Sequence, residues 1–151
     1  MKAHAANLIK IMNDLRLLNL LGEIKLPALQ AGSSIMPAKV NPVLAEAAMQ
    51  VGLKVMANDT VVAEAAGRGT LQINEFLPLL ASALLESLDL LTRIDTLLAG
   101  HVRGITADEE KCRAYFNRSP LIITALMPTI GYEKATAVVQ EFHDSGQTDF
   151  R

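Results

Sequence analysis

Apolar side chains recur every three or four residues along most of this chain, which is the spacing of helices that bury one face. Strict alternation of apolar and polar residues, which is typical of strands, is almost absent. The first periodic stretch covers roughly residues 1–20, and its apolar positions are Leu8, Ile11, Met12, Leu15 and Leu18. The pattern predicts an all-α protein that begins inside or just at a helix.

Two longer helices are predicted after the first. One runs from Pro42, with Asn41 as its N-cap, to a break at Gly67 and Gly69. The other runs from about residue 74 to residue 98, where leucines repeat as in a helical bundle and Pro78 starts or kinks the helix. Helices of about 25 residues span roughly 37 Å. A compact globule of this chain length is only about 30 Å across. Both helices are also apolar on several faces, so we expect partner helices from other chains or further sequence to cover them.

Shorter helices are predicted after Gly100 and Gly104. Thr106 and Glu109 have the spacing of a capping box, which favours a helix over residues 108–117. Another is expected from Ser119 to about Pro128, and a third over residues 131–143. The long helices therefore lead into a small helical domain.

The composition excludes several classes of protein. The net charge of −2 makes the chain a poor counterion for nucleic acid, and 4% aromatic residues offer few platforms for base stacking. No stretch is long and uncharged enough to suggest a membrane span, and no signal peptide is apparent. Cys112 is the only cysteine, and the three histidines lack the spacing of metal ligands. We therefore expect a cytoplasmic protein that needs no metal or other cofactor and has neither nucleic acid nor membrane as a partner.

Residues 21–41 interrupt the helical periodicity with glycines, prolines and a serine pair, and an internal loop of that length is usually functional or disordered. Gly32 permits unusual backbone angles, while Ser33 and Ser34 offer hydroxyl groups. Lys39 can hold a carboxylate, and Asn41 both donates and accepts hydrogen bonds. A serine acts as a base only where its alkoxide is stabilised and water is excluded. On composition alone, an exposed loop with a solvated lysine and capping serines explains the same residues.

The run Gly-Ser-Ser-Ile-Met-Pro-Ala-Lys-Val-Asn-Pro, from Gly32 to Pro42, resembles the signature of the aspartase/fumarase superfamily, the fumarate lyases. Residues 13–16, 71–74, 104–107 and 130–132 resemble further segments of that family. Ala38, where fumarases typically have glycine, favours the aspartate ammonia-lyase branch. The resemblance implies two domains. Residues 1–102, with the signature loop 31–41, would end a central helical-bundle domain. Residues 103–151 would form a truncated, small helical C-terminal domain.

The resemblance also implies an active site. Ser33 matches the serine that removes a proton next to a substrate carboxylate. Lys39 and Asn41 match residues that bind the carboxylates of a small dicarboxylate. Glu46 matches a glutamate that pairs with a histidine supplied elsewhere, although a carboxylate favoured at a helix start explains Glu46 equally well. The supporting residues are Gly32, Ser34 and Met36, and the implied assembly is a homotetramer.

Two departures from the family pattern qualify this reading. Residues 18–23 replace a Ser-Gly-Pro-Arg stretch and shorten it, and the N-terminal motifs that complete the site are absent. We therefore expect an aspartate ammonia-lyase fragment that is inactive alone. Fumarate hydratase is the first alternative, and a non-catalytic helical oligomerisation module is the second.

Overall fold

The computed structural model describes residues 1–30, 36 and 40–147. The helices and strands follow one another as α1 (Lys2–Leu21), β1 (Ile24–Lys25), α2 (Val43–Ala66), α3 (Leu77–Val102), β2 (Thr106–Ala107), α4 (Glu109–Arg118), a 3₁₀ helix (Pro120–Leu126), α5 (Met127–Ile130) and α6 (Tyr132–Asp144). Strand β1 pairs with β2. The chain divides into two compact units, Met1–Thr106 and Ala107–Arg151. The prediction of an all-α protein is confirmed. The assignment of the units to parts of a larger enzyme stays a prediction.

Helix α2 lies at the centre of the first unit and packs against both α1 and α3. The main core cluster takes residues from all three helices: Leu8, Met12, Leu44, Ala45, Ala48, Ile94 and Leu98. A second cluster joins Ala5, Val55 and Leu91. This central position explains why the sequence of α2 is apolar on more than one face, because two neighbours cover it.

The contact between α1 and α2 is made close by small residues. Ala45, Ala48 and Gly52 are all buried along α2. A β-carbon built on Gly52 would lie 2.6 Å from Ile9 Cγ1 and 3.0 Å from the carbonyl oxygen of Ala5. The two backbones therefore approach more closely at Gly52 than any larger side chain allows.

Several predicted helix boundaries are wrong. Helix α2 begins at Val43 with Pro42 at the N-cap, because the carbonyl of Asn41 accepts a bond from the Val43 amide in a tight turn (2.9 Å). Helix α3 begins at Leu77 and continues to Val102. Its predicted start fails because Asn74 is used as a link between helices. The Asn74 side chain donates to the Ala65 carbonyl at 3.0 Å and accepts from the Phe76 amide at 2.8 Å.

The second unit also departs from the predicted boundaries. Thr106 lies in β2, and Asp108 caps α4 by accepting a bond from the Lys111 amide at 3.1 Å. The single helix expected after Ser119 is a 3₁₀ helix followed by α5, and α6 follows after Gly131, which has a φ of 80°. Ile123 and Ala135 are its buried apolar residues among those described.

Helix α3 exposes a large apolar surface. Five of its leucine residues are more than half exposed: Leu77, Leu79, Leu85, Leu88 and Leu97. Exposed apolar area of this size is typical of surfaces that bind another protein. That partner helices cover it stays a prediction. None of the helices within the described residues has the length and apolar character needed to cross a membrane.

Candidate active site

A cavity of about 290 Å³ opens between the C-terminal half of α1 and the start of α2. Its volume is at the lower end of those that hold small ligands. Asparagine and ion-pair side chains alternate with apolar ones in its wall, which consists of Asn13, Arg16, Leu17, Asn19, Leu20, Val40, Asn41, Pro42 and Glu46. The cavity therefore combines polar groups that can orient a ligand with an apolar surround.

Arg16 reaches the cavity from α1. Asn13 precedes it by three residues, so both side chains lie on one face of the helix. Nη1 of Arg16 donates to Met49 Sδ at 3.5 Å, and Nη2 lies 3.8 Å from Glu46 Oε1. Nε is buried and has no hydrogen-bond partner among the residues that the structure describes. The guanidinium is thus tied to α2 by weak contacts and keeps part of its donor capacity.

Glu46 stands in the first turn of α2, where the positive end of the helix dipole favours a carboxylate. Its amide donates to the Pro42 carbonyl at 3.1 Å, which fixes the backbone of that turn. Asn41 immediately precedes the turn, and its side chain lines the same cavity. Residues 41 and 46 are therefore brought to one wall by the start of a single helix.

Comparison with known proteins identifies the family. A family profile described as lyase matches residues 1–57. The chain is 46% identical to the aspartate ammonia-lyase of Pseudomonas fluorescens over 97% of this chain and 32% of that protein. It is also 46% identical to fumarate hydratase class II of Xylella fastidiosa (strain 9a5c), over 91% of this chain and 30% of that one.

This chain belongs to the fumarate lyase superfamily. The crystal structure of class II fumarase from Schistosoma mansoni superposes with a TM-score of 0.92 at 36% identity, and the match covers 97% of this chain and 32% of that one. The predicted resemblance is thereby confirmed, as is the all-α fold. The chain spans about a third of the length of the curated relatives it matches.

Of the site residues that the resemblance to the fumarate lyases implies, the structure brings Asn41 and Glu46 to the same cavity. Met36 is half exposed and is not part of that cavity wall. Gly32, Ser33, Ser34 and Lys39 lie outside the described residues. The roles of all seven residues therefore stay predictions.

From the sequence, Asn13 and Arg16 were predicted only as part of a segment that resembles the family. Their position in the cavity wall with Asn41 and Glu46 was not predicted. Asn13 and Arg16 are three residues apart and so share one face of α1, which was the available signal. For metal binding, the described part of the chain contains no cluster of three or more histidine, cysteine, aspartate or glutamate residues. The described wall can instead orient a small polar ligand through amides, one cation and one carboxylate.

Proposed function

We propose that this chain forms one wall of the active site of an aspartate ammonia-lyase. The observation that carries the proposal is that Asn41 and Glu46, which match two site residues of the family, line one cavity with Arg16. The remaining walls come from sequence that this chain does not contain or from other subunits. The expected assembly is a homotetramer in the cytoplasm, with a small dicarboxylate as substrate.

The proposed reaction is an elimination that needs no cofactor. Ser33, as the alkoxide, removes a proton from the carbon next to one carboxylate of L-aspartate, and that carboxylate becomes a dianionic aci form. The electron pair then forms the carbon–carbon double bond as the carbon–nitrogen bond breaks, which releases ammonia and fumarate. Lys39 and Asn41 bind the carboxylates. Lys39 contributes most where negative charge grows in the transition state.

Glu46 has a separate role in this proposal. Its carboxylate accepts a hydrogen bond from a histidine supplied by another part of the assembly and holds the imidazole in position. The location of Glu46 at the cavity wall, 39% exposed, supports this role because a carboxylate buried in the core would be out of reach. The supporting residues Gly32, Ser34 and Met36 would shape the loop that carries the serine.

Fumarate hydratase is the second candidate. It is supported by the Xylella fastidiosa relative, which is as identical to this chain as the Pseudomonas fluorescens ammonia-lyase is. The same serine would then remove the proton while water leaves. Ala38 of the signature and the relatives named aspartate ammonia-lyase in Helicobacter pylori, at 48% identity, favour the ammonia-lyase.

The test supplies the missing walls. The chain is co-expressed with the N-terminal two-thirds of the Pseudomonas fluorescens enzyme, and fumarate formation is followed with L-aspartate and with L-malate. We expect fumarate and equimolar ammonia from L-aspartate, and no turnover by the chain alone. Turnover of L-malate only would assign fumarate hydratase instead. If neither substrate reacts, the proposal is wrong.

Variants of the same complex test the serine. Ser33→Ala should lower turnover by several orders of magnitude with a modest loss of binding, because the alkoxide base is gone. Lys39→Ala should weaken dicarboxylate binding as well. Ser82→Ala, an exposed position on α3, is the matched control and should leave turnover unchanged. Intact turnover in the Ser33 variant would remove the base assignment.

The non-catalytic alternative rests on the exposed leucines of α3. It predicts that the chain self-associates but neither binds a dicarboxylate nor supports turnover in the complex. Sedimentation of the active complex should show four copies of the chain if the homotetramer is correct.

A further inference from the structure

We infer that Arg16 is a positioning residue that orients the Glu46 carboxylate across the interface between α1 and α2. The inference rests on the proposed function, in which Glu46 accepts a hydrogen bond from a histidine of the complete site. It adds a residue outside the signature segment to the machinery of the reaction.

The first step is the placement of the guanidinium. The contact of Nη1 with Met49 Sδ and the enclosure of Nε restrict where the rigid, planar group can turn. Met49 lies three residues after Glu46 on α2, so the contact holds the guanidinium beside the same face that carries the carboxylate. Arg16 is therefore oriented by packing as well as by charge.

The two carboxylate oxygens of Glu46 have different surroundings. Oε1 of Glu46 faces Nη2 of Arg16 at 3.8 Å, within ion-pair range but beyond a normal hydrogen bond. Within the described residues, no donor bonds to Oε2. An attraction on one oxygen limits rotation of the carboxylate and leaves the other oxygen to accept a hydrogen bond from an imidazole.

Charge disfavours direct binding of a substrate carboxylate by Arg16. A substrate carboxylate placed on the guanidinium would lie next to the Glu46 carboxylate, and two like charges at such distances repel each other. The charges of Arg16 and Glu46 instead balance within the cavity wall. Arg16 therefore acts through Glu46.

A double-mutant cycle in the active complex tests this chain of action. Arg16→Gln should lower kcat about tenfold and change KM by less than about twofold, because a misplaced supporting group slows the chemical step more than binding. Arg16→Lys should recover part of the loss. In a background of Glu46→Gln, the change at Arg16 should have no further effect.

Arg68→Gln is the matched control, because Arg68 also pairs with a glutamate, Glu64, but lies at the far end of α2. It should leave both constants unchanged. A raised KM with unchanged kcat in Arg16→Gln would assign direct carboxylate binding instead. Independent effects of Arg16→Gln and Glu46→Gln would likewise overturn the inference.

A measurement on the chain itself separates this inference from the proposed function. The NMR chemical shift of the guanidinium Nε–H of Arg16 should change in Glu46→Gln and stay the same in Glu64→Gln. An unmoved Arg16 signal in the Glu46 variant overturns the inference whether or not the complex is active. An active complex in which Arg16→Gln behaves as wild type overturns the inference and leaves the ammonia-lyase proposal standing.

Discussion

Replacing Gly52 with alanine should destabilise the protein even though alanine is the better helix former. The new methyl group would lie 2.6 Å from Ile9 Cγ1 and 3.0 Å from the Ala5 carbonyl oxygen. Apolar carbons prefer about 3.5–4.0 Å, so the two helices must separate by about 1 Å or Ile9 must leave its rotamer. Neither adjustment is easy, because Ile9 is β-branched and the oxygen belongs to the backbone.

The magnitude follows from two opposing terms. Overpacking of a well-packed contact costs typically about 1–3 kcal/mol. Exchange of glycine for alanine within a helix returns up to about 1 kcal/mol. Gly100 isolates the second term, because it lies in α3 and a β-carbon there would meet nothing within 4 Å. We expect Gly100→Ala to stabilise by about 0.5–1 kcal/mol. Gly52→Ala should fall about 1–3 kcal/mol below Gly100→Ala.

Urea unfolding measures both variants, with circular dichroism at 222 nm, where helices give a strong negative signal. The unfolding free energy usually falls by about 1–3 kcal/mol per molar urea. Protein concentration must be equal throughout, because self-association would add to the apparent stability. A Gly52→Ala variant as stable as Gly100→Ala, with an unchanged slope, would refute the close approach of α1 and α2. It would also weaken the placement of Arg16 beside Glu46, since the same helix pair positions both residues.

Three further predictions concern side chains that join helices. Asn58→Ala should cost about 2 kcal/mol in urea unfolding, because the two hydrogens of the buried amide bond to the Ala83 carbonyl, Ser87 Oγ and Glu86 Oε2, at about 1 kcal/mol for each hydrogen. The Glu86 pKa is lowered from 4.5 by the hydrogen bond from Asn58 and then by Lys54. Stability from Glu86 is therefore present above pH 4.5 and is lost as the pH falls through the lower folded-state pKa, so Glu86→Gln should flatten stability over that range. Asn74→Ala should lower the unfolding free energy by about 1–2 kcal/mol, because both bonds of the link between α2 and α3 are lost.

Each of these predictions has a contrary outcome, and Asn58→Ala also has a control variant. Thr60→Ala, at an exposed position of α2, should change stability by less than about 0.5 kcal/mol and serves as the reference for Asn58. An Asn58→Ala variant indistinguishable from it would show that the buried amide contributes no net stability. An unchanged acid dependence in Glu86→Gln would contradict the lowered pKa. An Asn74→Ala variant as stable as wild type would show that the link between α2 and α3 contributes no net stability.

The helices themselves were predictable because their information is local. Repeats of apolar residues at threes and fours indicate a buried helical face wherever the helix packs. The break at Gly22 was visible for the same reason, since Gly22 ends α1 in the left-handed conformation, with a φ of 78°. Gly67 also follows the end of its helix, but in the right-handed region. A local pattern can also mislead. The pattern predicts that Asn74 begins a helix, whereas its side-chain amide bonds to the end of α2.

The candidate site was predictable only where it is contiguous in sequence. Asn41 lies in the recognisable run that ends at Pro42, Glu46 follows four residues later, and the start of α2 carries both to the cavity. Arg16 lies 30 positions before Glu46. The periodicity of α1 does not indicate which residue of α2 Arg16 contacts. The Arg16–Glu46 contact exists because α1 and α2 pack closely along buried small residues such as Gly52.

By itself, the sequence determined the all-α class, the approximate helices and the family, because helix periodicity and a contiguous signature need no partner to be recognised. Only the tertiary structure decided that α2 is central, that Gly52 must remain small and that Arg16 meets Glu46. These features depend on how separate helices pack, and packing selects among many faces of similar apolar character through close contacts that distant residues create together.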